Sequence, residues 1–397
     1  MRALTVARSV PRFAAARLAS SWQPGAGGRV GPLRLADIDP HALPANGWQR
    51  IRPRLAGICG SDLSTVDGRS SRWFEPLVTF PFVPGHEIVA DADDGGRVVV
   101  QPVLACATRG LDPPCAECAA GRTNRCHRLR GGHLHPGLQT GFCADVGGGW
   151  STSLVAHHSQ IHAVPDGLSD QAAVMVEPTA CGVHAALAGQ AGDRHHDDDQ
   201  MAVVIGAGTL GLVTVAALAR YRPDVATIIV VAKHPRQRQM ATELGATAVV
   251  EPGELRRAVR RRTGTWMADN GQLAGGTPLT FDCVGSAASI ADALAVTAPG
   301  GTVVLAGMPG EVSVDLTGLW QREISLTGAY TYGPEPAAEG RHSFDLALDL
   351  VGAAGLDRLV SATYSLDRHS EAIAHASAAG RRGATKVVFD LRGEKRR

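Results

Sequence analysis

The chain has 397 residues, 44% apolar and 19% charged, a balance that fits packed cores and excludes a disordered or collagen-like polymer. Its formal net charge is +1, so composition points to neither nucleic acid nor a membrane as partner. Only Lys233, Lys386 and Lys395 are lysines among 39 basic residues, which reads as a codon preference for arginine and not as a binding signal. The length predicts two domains, three at most.

Residues 1 to 36 contain no acid, and MRALTVARSVPRFAAARLASS has the Arg-, Ala- and Ser-rich look of a mitochondrial transit peptide. MRALTV nevertheless alternates like a strand, and no junction marks where a mature protein would begin. The stretch is therefore read as part of the fold and the protein as cytoplasmic. Without a secretory signal, the eight cysteines belong to a reducing compartment, where metal ligation is expected over disulfides.

Roughly the first 180 residues are rich in Pro and Gly, with short strand-like runs such as GRVVVQPVL, and predict an irregular, mainly β domain. Cys59 lies here in GICGSDLS, and His86 and Glu87 in VPGHEI. CATRGLDPPCAECAAGRTNRC then carries Cys106, Cys115, Cys118 and Cys126. Taken alone it fits a four-cysteine zinc site, a redox C-x-x-C pair with bystanders, or a loop that merely contains cysteines. Glu177 follows in VEPTACGVHA. Together Cys59, His86 and Glu177 offer a thiolate, an imidazole and a carboxylate, a set that a catalytic zinc takes while leaving a fourth position open. Cys143, Cys181 and Cys283 fit no ligand set and are read as packed thiols.

AGQAGDRHHDDDQ, with His195, His196 and the three aspartates that follow them, is read as a solvated loop and not as a metal site. Met201 to Ala219 is nineteen residues without a charge, long enough to span a membrane. Its glycines argue instead for strand, turn and helix. VVIGAGTLG matches G-x-G-x-x-G at Gly206, Gly208 and Gly211, with Thr209 and Leu210 between them, and predicts a dinucleotide at a helix N-terminus. ATIIVVA, TAVV, LTFDCV and GTVVLAG continue as strands separated by helical stretches, which predicts a doubly wound parallel sheet. Where an NAD site places an acid at the end of the second strand, this chain has Ala232, followed by Lys233 and Arg236. That favours NADP over NAD, since the cations can pair with a 2′-phosphate. The basic cluster RRAVRRRTGTW is read as a solvated helix face. From about 331 the texture returns to mixed helix and strand, ending in KVVFDL.

GICGSD, PGHE, the cysteine cluster, EPTACGVHA, GAGTLG and FDCVGS together resemble the zinc-containing medium-chain alcohol dehydrogenases, in the polyol- and threonine-dehydrogenase-like branch, from end to end. The resemblance implies an α/β protein: an irregular, mainly-β, GroES-like catalytic domain (1–180 and, returning, 331–397) and a doubly wound Rossmann domain (181–330). It implies a catalytic zinc on Cys59, His86 and Glu177, with Glu87 as the neighbouring acid. Ser61 would be the first carrier of the substrate's proton. Many relatives have His five residues after the zinc cysteine; here Ser64 stands there and is left out of the catalytic set. It further implies a structural zinc in a lobe at about 106–126, on Cys106, Cys115, Cys118 and Cys126, although eight residues separate Cys106 from Cys115 where relatives commonly have two. The implied activity moves hydride between an alcohol or polyol hydroxyl, or its carbonyl, and a nicotinamide cofactor. A metal-free enone or quinone reductase, or a non-catalytic nucleotide-binding protein, would leave Cys59, His86 and Glu177 unexplained. Ser70 to Phe82, with Trp73, Phe74 and Glu75, is expected to line the pocket, and the assembly to be a homodimer or homotetramer.

Overall fold

The alternation in MRALTV becomes β1 (Arg2–Val6), paired antiparallel with β2 (Leu33–Asp37). This is a computed structural model that describes residues 1–189 and 200–394; the loop with His195 and His196 lies outside the described residues. Val6 N–H donates to Phe82 O and Leu4 N–H to Trp150 O, which ties β1 into the interior. Between β1 and β2 run α1 (Val10–Trp22), with a proline in its first turn, and α2 (Gly27–Val30). The long strand β3 (Trp48–Gly57) leads into α3 (Gly60–Val66), whose end is tied back when Asp67 accepts from the N–H groups of Gly25 and Gly27 at 2.9 and 3.0 Å. There follow β4 (Ile88–Asp91), β5 (Arg97–Val100), the short α4 (Ala116–Ala119), β6 (Leu154–His157) and β7 (Ile161–Ala163). The segment closes with α5 (Asp170–Ala173) and the start of α6 (Val176–Ala188).

A second compact unit, Pro178–Ala354, holds the parallel sheet. Its strands are β8 (Gln200–Ile205), β9 (Val225–Val231), β10 (Ala248–Val250), β11 (Thr277–Asp282), β12 (Thr297–Leu305) and β13 (Ser325–Gly328). They lie in the order β10-β9-β8-β11-β12-β13, every neighbour parallel. The connecting helices include α7 (Thr209–Tyr221), α8 (Pro235–Glu243), α9 (Leu255–Thr263), α10 (Ala287–Val296), α11 (Thr317–Gln321) and α12 (Ser343–Ala353). The uncharged run from Met201 is thus a strand, a turn and a buried helix. Among the described residues no helix is long and apolar enough to cross a membrane. Residues 331–354, expected in the returning segment, group with this unit instead. Packing explains it: Phe344 is buried against Tyr332 at 5.1 Å, Tyr221 Oη donates to Leu346 O, and His184 Nδ1 lies 2.7 Å from Glu335 Oε1.

The chain then returns to the first unit, Met1–Glu177 with Gly355–Arg397, through β14 (Val360–Tyr364), α13 (His369–Ser377) and β15 (Lys386–Asp390). The sheet there runs β14-β15-β3-β4-β5-β7, with β6 also on β3. β3 is antiparallel to both β4 and β15. Trp150 is fully buried beneath this sheet, edge-on to Phe389 at 5.1 Å, and its indole N–H donates to Gly57 O at 3.0 Å. That bond fixes the end of β3, where the candidate ligands begin.

Candidate active site and metal centres

Strand register builds the first cluster. Ala56 pairs with Ile88 across β3–β4, and Gly57 N–H donates to Glu87 O, so the chain leaving β3 runs beside PGHE. On the other side, Val388 pairs with Gly57, and Ile58 N–H donates to Val387 O. Cys59, His86 and Lys386 therefore converge from three strand ends. Cys59 lies near enough to the His86 ring to act on its charge, and His86 Nδ1 faces Asp62 Oδ1 at 3.5 Å. Asp62 is itself held, accepting from Cys59 N–H at 3.0 Å through its other oxygen. Burial works against a charge on His86, yet Asp62 and then Cys59 raise its pKa well above the usual imidazole value.

Glu87 sits 1% exposed and takes both its oxygens to Lys386 Nζ, at 2.6 and 2.7 Å. Burial disfavours the Lys386 charge, but Glu87, Cys59 and Glu177 outweigh it and hold the amine protonated. A side chain at Gly57 would put its Cβ 1.7 Å from Glu87 Oε2, so glycine is the residue that admits this carboxylate. Glu177, 6% exposed, opens α6. Its carboxylate acts on Lys386 but does not join Cys59 and His86 in a tight ligand cluster; among the described residues the four cysteines are the group of three or more candidate ligands lying within 4.8 Å of one another. Ser61 Oγ is buried and, like His86 Nδ1 and Asp62 Oδ1, has no hydrogen-bond partner. A thiol and an imidazole side by side, with a carboxylate 3.5 Å from one ring nitrogen, is a donor set that zinc fits.

The second cluster contains Cys106, Cys115, Cys118 and Cys126, all four as free thiols. The 3.7 Å between Cys106 Sγ and Cys126 Sγ compares with about 3.8 Å for two thiolates on a tetrahedral zinc with ~2.3 Å bonds. Backbone N–H groups donate to sulfur, Cys115 to Cys106 at 3.4 Å and Arg128 to Cys126 at 3.3 Å, as they would to thiolates. Burial disfavours the Cys115 thiolate, but backbone N–H groups, with Cys118 and Cys106, bring its pKa down to about 6. Burial raises Cys118 and Cys126. The eight-residue excursion does return: Leu111 N–H and Arg109 N–H both donate to Cys106 O.

In the second unit, β8 ends at Ile205, and Gly206 takes a φ of +96° to turn the chain toward α7. At Gly211 a Cβ would lie 1.8 Å from Gly206 O, so helix and turn pack only over glycine. At Gly208 a Cβ would meet no protein atom within 4 Å. Protein packing therefore does not demand that glycine, whereas a pyrophosphate approaching the backbone would. Gly208 is the N-cap of α7 and offers no side-chain cap, and Thr209 and Leu210 open the helix. Ala232 is buried just beyond β9, Lys233 is exposed, and Arg236 bonds Gln239 Oε1 at 3.0 Å.

Residues 45–166 match the family model of the alcohol dehydrogenase GroES-like domain, and residues 210–353 that of the zinc-binding dehydrogenases. The chain belongs to the zinc-containing medium-chain alcohol dehydrogenases. Among members of this family, the sorbitol dehydrogenase of Arabidopsis thaliana is 26% identical over 378 residues, covering 91% of this chain and 92% of its own. The L-idonate 5-dehydrogenase of Vitis vinifera is 25% identical over 379 residues, covering 90% and 93%. A zinc-binding dehydrogenase from Sinorhizobium meliloti 1021, solved bound to NADP, shares the fold with a TM-score of 0.67 at 24% identity, covering 90% of this chain and 95% of that one. This dehydrogenase chain also carries two site residues to which sequence reasoning gave no role. Asp62 lies in the quoted motif GICGSD, which by itself marks only its cysteine as a donor. Lys386 had a visible signal: a lysine inside a strand, in a chain that otherwise uses arginine.

Proposed function

We propose that the chain is a zinc-dependent oxidoreductase that moves hydride between a polyol-type hydroxyl, or its carbonyl, and a nicotinamide cofactor, with NADP favoured over NAD. The observation that carries this reading is the convergence of Cys59 and His86 at neighbouring strand ends, with Asp62 3.5 Å from the imidazole and the Glu87–Lys386 pair beside them. Cys59, His86 and Glu177 would hold the catalytic zinc, and Cys106, Cys115, Cys118 and Cys126 a structural one. Bound zinc supplies Lewis acidity toward the substrate oxygen, and the nicotinamide exchanges the hydride. Asp62, 3.5 Å from His86 Nδ1, would orient the imidazole once that nitrogen carries its proton toward the carboxylate. Ser61 Oγ, buried with no partner of its own, is the group available to take the hydroxyl proton. Lys386 Nζ donates to both Glu87 oxygens, which holds that carboxyl group beside the candidate ligands.

On the nucleotide side, Gly206, Gly208 and Gly211 with the Thr209 and Leu210 N–H groups would receive the pyrophosphate. Lys233 and Arg236 would pair with a 2′-phosphate, and Ala232 offers no carboxylate to repel it. The two relatives named for sorbitol and L-idonate support the polyol class. A panel of polyols and simple alcohols, run with NADP and with NAD, tests the reading. Oxidation of at least one polyol is expected, several-fold faster with NADP, and the Lys233→Ala variant is expected to narrow that gap. Turnover far better with NAD would overturn the cofactor preference, and no turnover of any alcohol with either cofactor would overturn the function.

A further inference from the structure

Residues 1 to 36 hold six arginines (Arg2, Arg8, Arg12, Arg17, Arg29 and Arg34) and no acid, a local excess that the net charge of the whole chain conceals. Within this stretch lies α1, VPRFAAARLASSW. A surface helix ordinarily turns its apolar side inward. The inner face of α1 is mostly small: Ala16 and Ser20 are buried, Ser20 Oγ donates to Asp67 O at 3.2 Å, and Phe13 packs edge-on against Phe80 at 6.1 Å. The outer face carries Val10, Ala14, Leu18 and Trp22, spaced four apart, with Val10 77%, Leu18 69% and Trp22 87% exposed. At about 3.6 residues per turn, Arg17 falls on one margin of this apolar stripe and Arg12 on the other. Both are exposed, and among the described residues neither has an ion pair. The neighbouring acids are taken: Asp67 by the N–H groups of Gly25 and Gly27, and Glu75 by Arg8 at 3.2 Å.

We propose that α1 is a docking surface for an anionic lipid bilayer: the helix lies flat on it, with Val10, Leu18 and Trp22 at the boundary of the acyl chains and Arg12 and Arg17 among the phosphates. Charge selects this occupant. A second copy of the chain packed on the same face would set arginine against arginine, with no acid in the segment to separate them. An anionic headgroup layer supplies the missing counter-charge. Tryptophan suits that boundary, because its ring is apolar while its N–H reaches water or headgroups. With thirteen residues α1 rests on the bilayer and does not cross it. The surface shares no residue with the candidate zinc and nicotinamide sites.

Sedimentation of the full-length protein with lipid vesicles tests it. The protein is expected to bind vesicles of mixed phosphatidylcholine and phosphatidylglycerol at least about tenfold more tightly than vesicles of phosphatidylcholine alone, and to lose that margin as salt rises. Arg12→Gln/Arg17→Gln is expected to bind the mixed vesicles more than about tenfold more weakly, at about fivefold per arginine. Leu18→Asp/Trp22→Asp is expected to stay in the supernatant. These side chains are exposed, so the melting temperature and turnover of both variants are expected to match the unmodified protein, which separates a lost surface from a lost fold. Equal binding to neutral and anionic vesicles, or binding to neither, would overturn the proposal. So would mixed-vesicle binding undiminished in either double variant. If Leu18→Asp/Trp22→Asp melts early, the arginine variant decides by the same criterion. A protein that ignores vesicles and forms an assembly in free solution that Leu18→Asp/Trp22→Asp dissolves would overturn it in favour of contact between copies.

Discussion

Lys386 and Glu87 are opposite charges held 2.6 Å apart at 3% and 1% side-chain exposure. At that depth the bonded pair is tolerated, whereas either charge left alone is strongly unfavourable. Lys386→Met is therefore expected to destabilise the protein by about 3 kcal/mol in denaturant unfolding. The double variant Lys386→Met/Glu87→Gln is expected to recover most of that loss, and a single variant as stable as the unmodified protein would show that the pair is not buried as described. At this scale the ligand types were legible, since cysteine, histidine and glutamate in GICGSD, PGHE and EPTACG announce donor chemistry. The partners behind them were not. Asp62 and Lys386 act through contacts that depend on strand register, and no local pattern around KVVFD states that its lysine faces Cys59.

The strands and helices of the second unit were legible because each is a strongly periodic run closed by a turn: TLGLVTVAALARY became α7 with its ends at Thr209 and Tyr221. The irregular stretches were less so. The path from Cys106 to Cys115 is set by the carbonyls Arg109 reaches, from Leu104 to Gly137, which no spacing rule encodes. Where β6 joins β3, His157 is buried at its strand end, its ring 4.0 Å from that of His158 and 5.6 Å from Trp48. Burial, then His158 and His133, lower its pKa to about 4. A histidine lowered on folding binds more protons unfolded, so its contribution is complete above the ordinary histidine pKa of about 6.5 and is lost as pH falls toward 4. The melting temperature is expected to drop across that window, and His157→Asn to flatten the slope. An unchanged slope in the variant would remove His157 from the acid sensitivity.

The whole molecule divides at Glu177 and Gly355. The change of texture near 200 made the parallel sheet visible in the sequence. The return at 355 was harder to see, because α12 is an ordinary amphipathic helix whose Phe344, Leu346 and Leu350 face could cover either domain until its packing against Tyr332 is known. At this scale the proposal is that a nicotinamide fold is joined to a zinc-bearing unit in which Cys59, His86 and Glu177 would hold the reactive metal. The most direct test is the zinc content of the purified protein and of Cys59→Ala, measured by elemental analysis alongside polyol oxidation. Two zinc equivalents per chain are predicted, with Cys59→Ala retaining one and losing turnover. A chain that oxidises polyols with no zinc, or a Cys59→Ala variant that keeps both equivalents and its rate, would contradict the account.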